Sequence, residues 1–492
     1  MAVIHKKKIL VAGAGVAGLA VAARLAAVGH QVTVIEKNPY PGGKLNSLNA
    51  QGFRFDMGPS LFTLPTLMHQ LFSDCGKNLH DYFKYQKLDE ITRYFFPSGK
   101  ELIASSDSTK FAKSCEVLFG EPTPSIQRYL KHCQKLYELT ADLFLAQSLH
   151  QLKGFMNLKT LRLILKVHHL HLFSTLDTFN KKSFRSPELV QLFNRYATYN
   201  GSSPYQTPAT LSVIPHLEFG LGAYLPQNGM HDITQALYKL CIDLGVDFHF
   251  SQKITSIHTK DNKVSGLQTA DAFFAADRVI SNADVYQTYT RLIPDIKPPK
   301  SIQRKLSSSG LIFYWGINRN FPQLGLHNIF FGNDYPAEFR FIFEDGDLPD
   351  DITVYLNITS KHCPNDAPEG SENWFVMVNV PPNPQRVNQE LRRAIKERVL
   401  KKLSSRLGVD ISAHIVFENH LDPSKIEENT GSHMGALYGS ASNSMFSAFL
   451  RQKNRADSPK GLYFCGGSVH PGGGIPLCLF SAGITAGIIA QE

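Results

Sequence analysis

Apolar residues fall into three kinds of run along this chain, and each kind predicts a different element. Near-continuous apolar runs bounded by glycine come first. Lys8-Ile9-Leu10-Val11-Ala12 reads as a buried parallel strand and Gln31 to Ile35 as a second. Between them, Leu19 to Val28 is rich in Ala and Leu and predicts a helix, with Gly29 as its C-cap. The same alternation returns in the middle of the chain, with a helix over His231 to Leu244 and strand-like runs at 245–250, 253–257, 263–267 and 277–284. It returns once more at the far end, where Gly461 to Phe464 is a short apolar strand and Leu477 to Ala490 a helix with small residues on one side. Runs of the second kind are short and β-rich. Leu311 to Ile317, Thr353 to Ile358 and Trp374 to Val380 predict strands of one sheet. Runs of the third kind have helical spacing: residues 76–214 as a region, and Gln389 to Leu407 as a basic amphipathic helix. Strands alternating with helices predict an α/β fold.

The polar and glycine positions between these elements carry the first chemistry. Gly13-Ala14-Gly15-Val16-Ala17-Gly18 joins the first strand to the helix, and Glu36 ends the second strand. Gly13 permits the tight turn, Gly15 lets backbone approach a pyrophosphate at the helix N-terminus, and Gly18 lets helix and strand pack closely. Glu36 is placed to accept hydrogen bonds from a ribose. A lone glycine triplet is a weak signal, but here the whole strand–turn–helix–strand unit and the acid are present, which predicts a dinucleotide site. Asn38-Pro39-Tyr40-Pro41-Gly42-Gly43-Lys44 then makes a Gly-Gly turn that returns backbone amides over the phosphates.

Composition narrows the classes. The 492 residues are 43% hydrophobic and 19% charged, which is globular usage and excludes a disordered or collagen-like chain. The formal charge of +9 attracts anions without choosing among them. Seven scattered cysteines, none in a C-x-x-C pair, argue against a disulfide scaffold or a Cys-rich zinc site, and fit a reducing cytosol. Met1 to Lys8 is too short for a signal peptide, and no run of 18 purely apolar residues predicts a membrane span. From Leu143 to Thr175, however, Lys153, Lys159, Arg162 and Lys166 alternate with leucines and no acid occurs. That is the pattern of a helix lying in a membrane interface, or of a core helix with a solvated basic face. His168, His169 and His171 lack the i, i+4 geometry of a metal site, and no metal is expected.

Two further segments carry a resemblance. Glu36 to Lys44, followed by Phe55-Asp56-Met57-Gly58-Pro59-Ser60, resembles the FAD-binding flavoprotein superfamily of amine oxidases, protoporphyrinogen oxidase and carotenoid desaturases. His470-Pro471-Gly472-Gly473-Gly474-Ile475-Pro476 resembles the C-terminal signature of the bacterial-type carotenoid desaturases, the phytoene desaturase family. The similarity is strongest at residues 8–62, 215–285 and 460–490 and weak between about 76 and 200. It implies a Rossmann-type FAD-binding domain of residues 1–75, 215–290 and 430–492. It also implies an inserted α+β substrate domain: a helical substrate and membrane-association region, 76–214, and a sheet-rich region, 291–429. The cofactor residues it implies are Gly13, Ala14, Gly15, Val16, Ala17, Gly18, Glu36, Lys37, Gly43, Lys44, Gly58, Pro59, Ser60, Ile254, Gly467, Gly474, Ile475 and Pro476. Ile254 matches the place where an adenine edge is held. Asn282 and Asp284 match a Ser-Asn-Ala-Asp motif read as mainly structural. His470 reads as a turn residue, and Cys465 and Cys478 as small packing residues.

The resemblance implies a reaction as well. Desaturating adjacent saturated carbons removes a hydride and a proton, and no side chain accepts a hydride, so the flavin must. A carbocation spread into a polyene is acidic enough that a weak base or water suffices. Glu218 matches a family Glu and is the candidate base, a structural ion pair being its alternative. Tyr196, Tyr199, Tyr205 and Tyr224 are candidates to line the tunnel. The expected substrate is an acyclic carotenoid, best a 1-hydroxycarotenoid desaturated at its 3,4 bond, otherwise phytoene or diapophytoene. Quinone or oxygen is the expected electron acceptor, and the expected location is cytoplasmic and peripheral to the membrane. No nucleic-acid partner is expected. The competing readings are an amine or porphyrinogen oxidase and a non-catalytic membrane flavoprotein.

Overall fold

The computed structural model describes residues 6–141, 171, 174–444 and 451–492. Two sheets organise them. The first has five parallel strands, in the order Leu462–Phe464, Arg278–Ser281, Lys8–Ala12, Gln31–Ile35 and Asp247–His249. Its centre is Lys8–Ala12, whose Ile9 to Ala12 are buried, as a strand covered on both faces requires. The neighbours come from three distant stretches of chain. Asn282 N–H continues the pairing onto Ala12 O at 2.9 Å, and Cys465 N–H onto Ser281 O at 3.1 Å. Helix Val16–Ala27 covers one face, and helix Ile475–Ala490 packs against it. The small residues Ser481, Ala482 and Gly483 allow that close approach. This accounts for the apolar character of the last helix. No helix among the described residues is long and apolar enough to cross a membrane.

The second sheet has seven strands, in the order Ile415–Leu421, Ser309–Ile317, Glu372–Val380, Val354–Ile358, His327–Phe330, Glu90–Phe95 and Glu101–Ser105. All its pairings are antiparallel except that of His327–Phe330 with Glu90–Phe95. Every residue of Ser309–Ile317 is buried, so its run has no polar face to show. Two of these strands correct an expectation. Residues 76–214 are not helical throughout: Glu90–Phe95 and Glu101–Ser105 lie within them and complete the seven-stranded sheet. Their period-2 pattern is short and half hidden, because Ile91, Thr92, Tyr94 and Phe95 are all buried, and a strand covered on both faces loses its alternation. The rest of the segment includes helices Ser108–Phe119, Thr123–Thr140, Leu176–Ser183 and Pro187–Asn194. The basic stretch 143–175 lies almost wholly outside the described residues, as do His168 and His169. His171, which is described, packs its ring beside Phe179. Among the described residues no cluster of metal-ligating side chains occurs.

Candidate active site

The turn after the first strand is built around one asparagine. Gly13 adopts φ +106° and donates its N–H to Ile35 O at 2.8 Å. Asn282 Oδ1 then accepts the Gly15 N–H at 3.1 Å, while its Nδ2 donates to Cys465 O at 3.0 Å. One side chain therefore ties the turn to both returning segments. A Cβ on Gly15 would lie 2.7 Å from Asn282 Oδ1, and one on Gly18 only 2.2 Å from Gly13 O. Gly15 is needed for approach and Gly18 for packing. Glu36 is buried and accepts from the Ala14 N–H at 2.8 Å and the Asn38 N–H at 2.9 Å. These bonds fix its carboxylate where the Gly-rich turn ends. The second glycine turn closes over the first: Gly42 N–H donates to Ala14 O at 2.8 Å, and Gly42 bridges Gly15.

A single cavity of about 1120 Å³ starts at this turn and continues onto the inner surface of the seven-stranded sheet. Two helices aim their N-termini into it, Val16–Ala27 through Gly15 and Ile475–Ala490 through Gly474. Neither has a side-chain cap or an acid in its first turn, so their first N–H groups and the positive ends of both dipoles face the cavity. Such a pair suits a ligand that carries negative charge at two points. Lys44, partly buried in the cavity wall, donates to Ala436 O at 3.2 Å and Leu437 O at 2.5 Å. Burial pushes its ammonium down to about 8, against the opposing pull of Asp284.

Farther along, the lining becomes apolar, with Ile312, Ile329, Phe339, Ile342 and Met377, and three polar clusters interrupt it. In the first, Ser60 Oγ lies 2.6 Å from Tyr355 Oη, which lies 2.7 Å from His327 Nδ1. Burial drives the His327 imidazole down to about 3, so it is neutral at ordinary pH. In the second, the Arg195 guanidinium lies 4.3 Å from the Tyr196 ring centre and pairs with Glu218. Burial opposes its charge, but Tyr94 and Glu218 outweigh burial and hold it above its ordinary value. In the third, Glu338 accepts from Thr353 Oγ1 at 2.8 Å, and burial raises its carboxyl to about 8.

Of the residues singled out in the sequence, the cavity brings together Gly13, Gly15, Val16, Ala17, Glu36, Lys37, Gly43, Lys44, Gly58, Pro59, Ser60, Ile254, Gly467, Gly474, Ile475 and Pro476. Two of the cofactor candidates and the candidate base lie elsewhere. Ala14 is fully buried, its N–H spent on Glu36 and its carbonyl on Gly42. Gly18 sits under Gly13. Glu218 carried two readings, a base or half of an ion pair. It is not among the lining residues, and its Oε2 accepts from Tyr196 Oη at 2.6 Å and Arg195 Nη2 at 3.1 Å. It holds a cation that lines the cavity, so the role the structure favours is the ion pair. Of the four tyrosines only Tyr199 reaches the lining. His470 lies off it too, its N–H donating to Gln452 O and its carbonyl accepting from Asn454.

The sequence reading passed over Arg195, His327, Tyr355 and Glu338. A usable signal existed for two of them. His327 and Tyr355 are polar side chains in short, otherwise largely apolar strand runs, where an inward polar group calls for a partner. Arg195 and Glu338 lie in helical segments whose inner face only the fold reveals.

A profile of the flavin containing amine oxidoreductase family matches residues 16–490, and the chain belongs to that family. Its cofactor is FAD, and it is an oxidoreductase; the buried Glu36 carboxylate, the open helix N-termini and the double glycine turn fit that dinucleotide. A 1-hydroxycarotenoid 3,4-desaturase of Flavobacterium sp. (strain P99-3) is 49% identical over 98% of this chain and 99% of its own length. A 4,4'-diapolycopene oxygenase of Methylomonas sp is 33% identical over 96% of each chain. Among solved structures, cyclohexylamine oxidase from Brevibacterium oxydans IH-35A superposes with a TM-score of 0.63 at 16% identity, covering 99% of each chain, a likeness of fold alone.

Proposed function

We propose that this protein is an FAD-dependent carotenoid desaturase that introduces the 3,4 double bond of an acyclic 1-hydroxycarotenoid. The observation that carries this reading is the near full-length similarity to the Flavobacterium desaturase, at 49% identity. The cavity supports it. Its apolar part suits a hydrocarbon chain, and it opens directly from the dinucleotide turn, so a C–H bond can be held against the cofactor in a dry space.

FAD, when bound, supplies the acceptor for the hydride and its two electrons. The chain does the rest. Gly15, Gly43 and the first turn of Val16–Ala27 would hold the phosphates, Glu36 the ribose, and Ile254 the adenine edge. Gly58, Pro59, Ser60, Gly467, Gly474, Ile475 and Pro476 form the far end of the cradle. The N-terminus of Ile475–Ala490 would present the positive end of its dipole to the cofactor there. Residues 1–75, 215–290 and 430–492 make up the cofactor domain in this reading. The apolar lining excludes water, and a proton leaving beside a delocalised cation needs only a weak acceptor, which makes a strong base such as an exposed carboxylate unnecessary. The substrate resides in a bilayer, so the protein works at a membrane surface, with quinone or oxygen as the terminal acceptor.

Anaerobic mixing tests the reading. A 1-hydroxycarotenoid in liposomes bleaches the flavin absorbance of the holoenzyme in a single turnover, while a primary amine leaves it unchanged. Bleaching by the amine alone assigns the protein to the amine oxidases instead.

A further inference from the structure

The direction of the hydrogen-bond chain Ser60–Tyr355–His327 follows from its surroundings. Asn357 Nδ2 donates to Leu326 O at 3.0 Å, which fixes the amide with its nitrogen toward His327 Nδ1, 3.1 Å away. An amide nitrogen cannot accept, so Nδ1 must be the bare acceptor nitrogen of the ring. Tyr355 Oη therefore gives its only proton to Nδ1. Ser60 Oγ, 2.6 Å from Tyr355 Oη, then donates to the tyrosine. With its proton committed, Ser60 presents only lone pairs to the cavity that it and Tyr355 line. The nearby cation has four of its five N–H donors directed to other partners. Arg195 Nε and Nη2 donate to Tyr94, Nη2 also to Glu218, and Nη1 points to Tyr199 at 3.4 Å.

This acceptor stands where a substrate oxygen would arrive. When the 3,4 bond reacts, an oxygen on C1 is only a few bonds from the reacting carbons. The group that reads it must then lie beside the cofactor, not at the distant end of the tunnel. Ser60 belongs to the Gly58–Pro59–Ser60 segment at the cofactor cradle, and Tyr355 to the facing strand Val354–Ile358. We propose that the Ser60–Tyr355–His327 chain selects the substrate end group, accepting the O–H of a tertiary hydroxyl at Ser60 Oγ and discriminating against ethers and bare hydrocarbon ends. This inference rests on the desaturase reading and adds its specificity element. An ether oxygen meets Ser60 lone pair to lone pair. A hydrocarbon displaces water from this acceptor and leaves it without a partner, the kind of mismatch that binding sites penalise most heavily.

The test uses the full-length holoenzyme in liposomes and three probes: an acyclic 1-hydroxycarotenoid, its 1-methoxy ether and the parent hydrocarbon. Binding is read from the carotenoid absorption shift on dithionite-reduced enzyme, which cannot turn over, and kcat/KM is read on oxidised enzyme. The wild type prefers the hydroxylated probe on the order of 100-fold or more in both readouts. Ser60→Ala brings the three probes to within a few-fold of one another while FAD content stays unchanged. Tyr355→Phe frees the Ser60 proton, so the ether gains relative to the alcohol. Equal binding of all three probes by the wild type overturns the selection and leaves desaturation standing. Discrimination in binding with no turnover of any probe overturns desaturation and leaves the selection standing. A Ser60→Ala enzyme that loses FAD but keeps wild-type discrimination assigns the serine to the cofactor and overturns the proposal, as does a wild type that binds none of the probes.

Discussion

Arg195 Nη2 lies 3.1 Å from Glu218 Oε2, and the two side chains are almost completely buried, at 8% and 0% exposure. Charges this deep are kept by geometry: Tyr94, Tyr196 and Tyr199 surround the guanidinium, and Tyr196 Oη also donates to the carboxylate at 2.6 Å. The pair positions a cation in the cavity wall, and its carboxylate is turned away from the lining.

Glu218→Gln should therefore act on stability before chemistry. Leaving the buried guanidinium unpaired costs on the order of 3–5 kcal/mol, read as a lower urea midpoint. The pH profile of kcat keeps its shape, and kcat stays within about tenfold. Loss of a general base would instead lower kcat by about 10²–10⁴.

Two glycines of the first turn separate cofactor binding from packing. A methyl on Gly15 meets Asn282 Oδ1 at 2.7 Å, a side chain whose tie to Cys465 O is lost if it moves. Gly15→Ala should fold with wild-type circular dichroism but purify with little FAD. A methyl on Gly18 meets the backbone oxygen of Gly13 at 2.2 Å, which cannot yield without opening the turn. Gly18→Ala should lower the thermal midpoint of the FAD-free protein more than Gly15→Ala does.

His327 makes stability depend on acid. Its folded pKa, about 3, lies below the ordinary 6.5, so the unfolded chain binds the extra proton first. Its contribution is fully present above pH 6.5 and is lost as pH falls toward 3. His327→Gln should flatten the difference between the urea midpoints at pH 7 and pH 4.5. An unchanged difference would show that other groups govern the acid limb.

Legibility in the sequence followed how local each signal is. The dinucleotide turn could be read because strand, glycines, helix and acid lie within residues 8–36, and their roles are set by backbone approach. The glycine-rich segment before Ile475 could be read for the same reason. Ala14 and Gly18 were drawn into the cofactor set because a motif names positions without saying which face each one shows. The strands Glu90–Phe95 and Glu101–Ser105 were missed because burial on both sides blurs alternation. Glu218 admits both a base and an ion pair in the sequence because its partner, Arg195, is 23 residues away, and nothing in the sequence shows that they meet. The Ser60–Tyr355 bond, across 295 residues, is a property of the fold alone.

The most direct measurement is the identity of the product. Holoenzyme, liposomes and an acyclic 1-hydroxycarotenoid are incubated with an electron acceptor, and the extracted pigment is examined by absorption and mass spectrometry. The predicted product is lighter by two hydrogens, red-shifted, and still carries its hydroxyl. A product heavier by an oxygen atom, or an unaltered pigment beside an oxidised amine, contradicts the assignment.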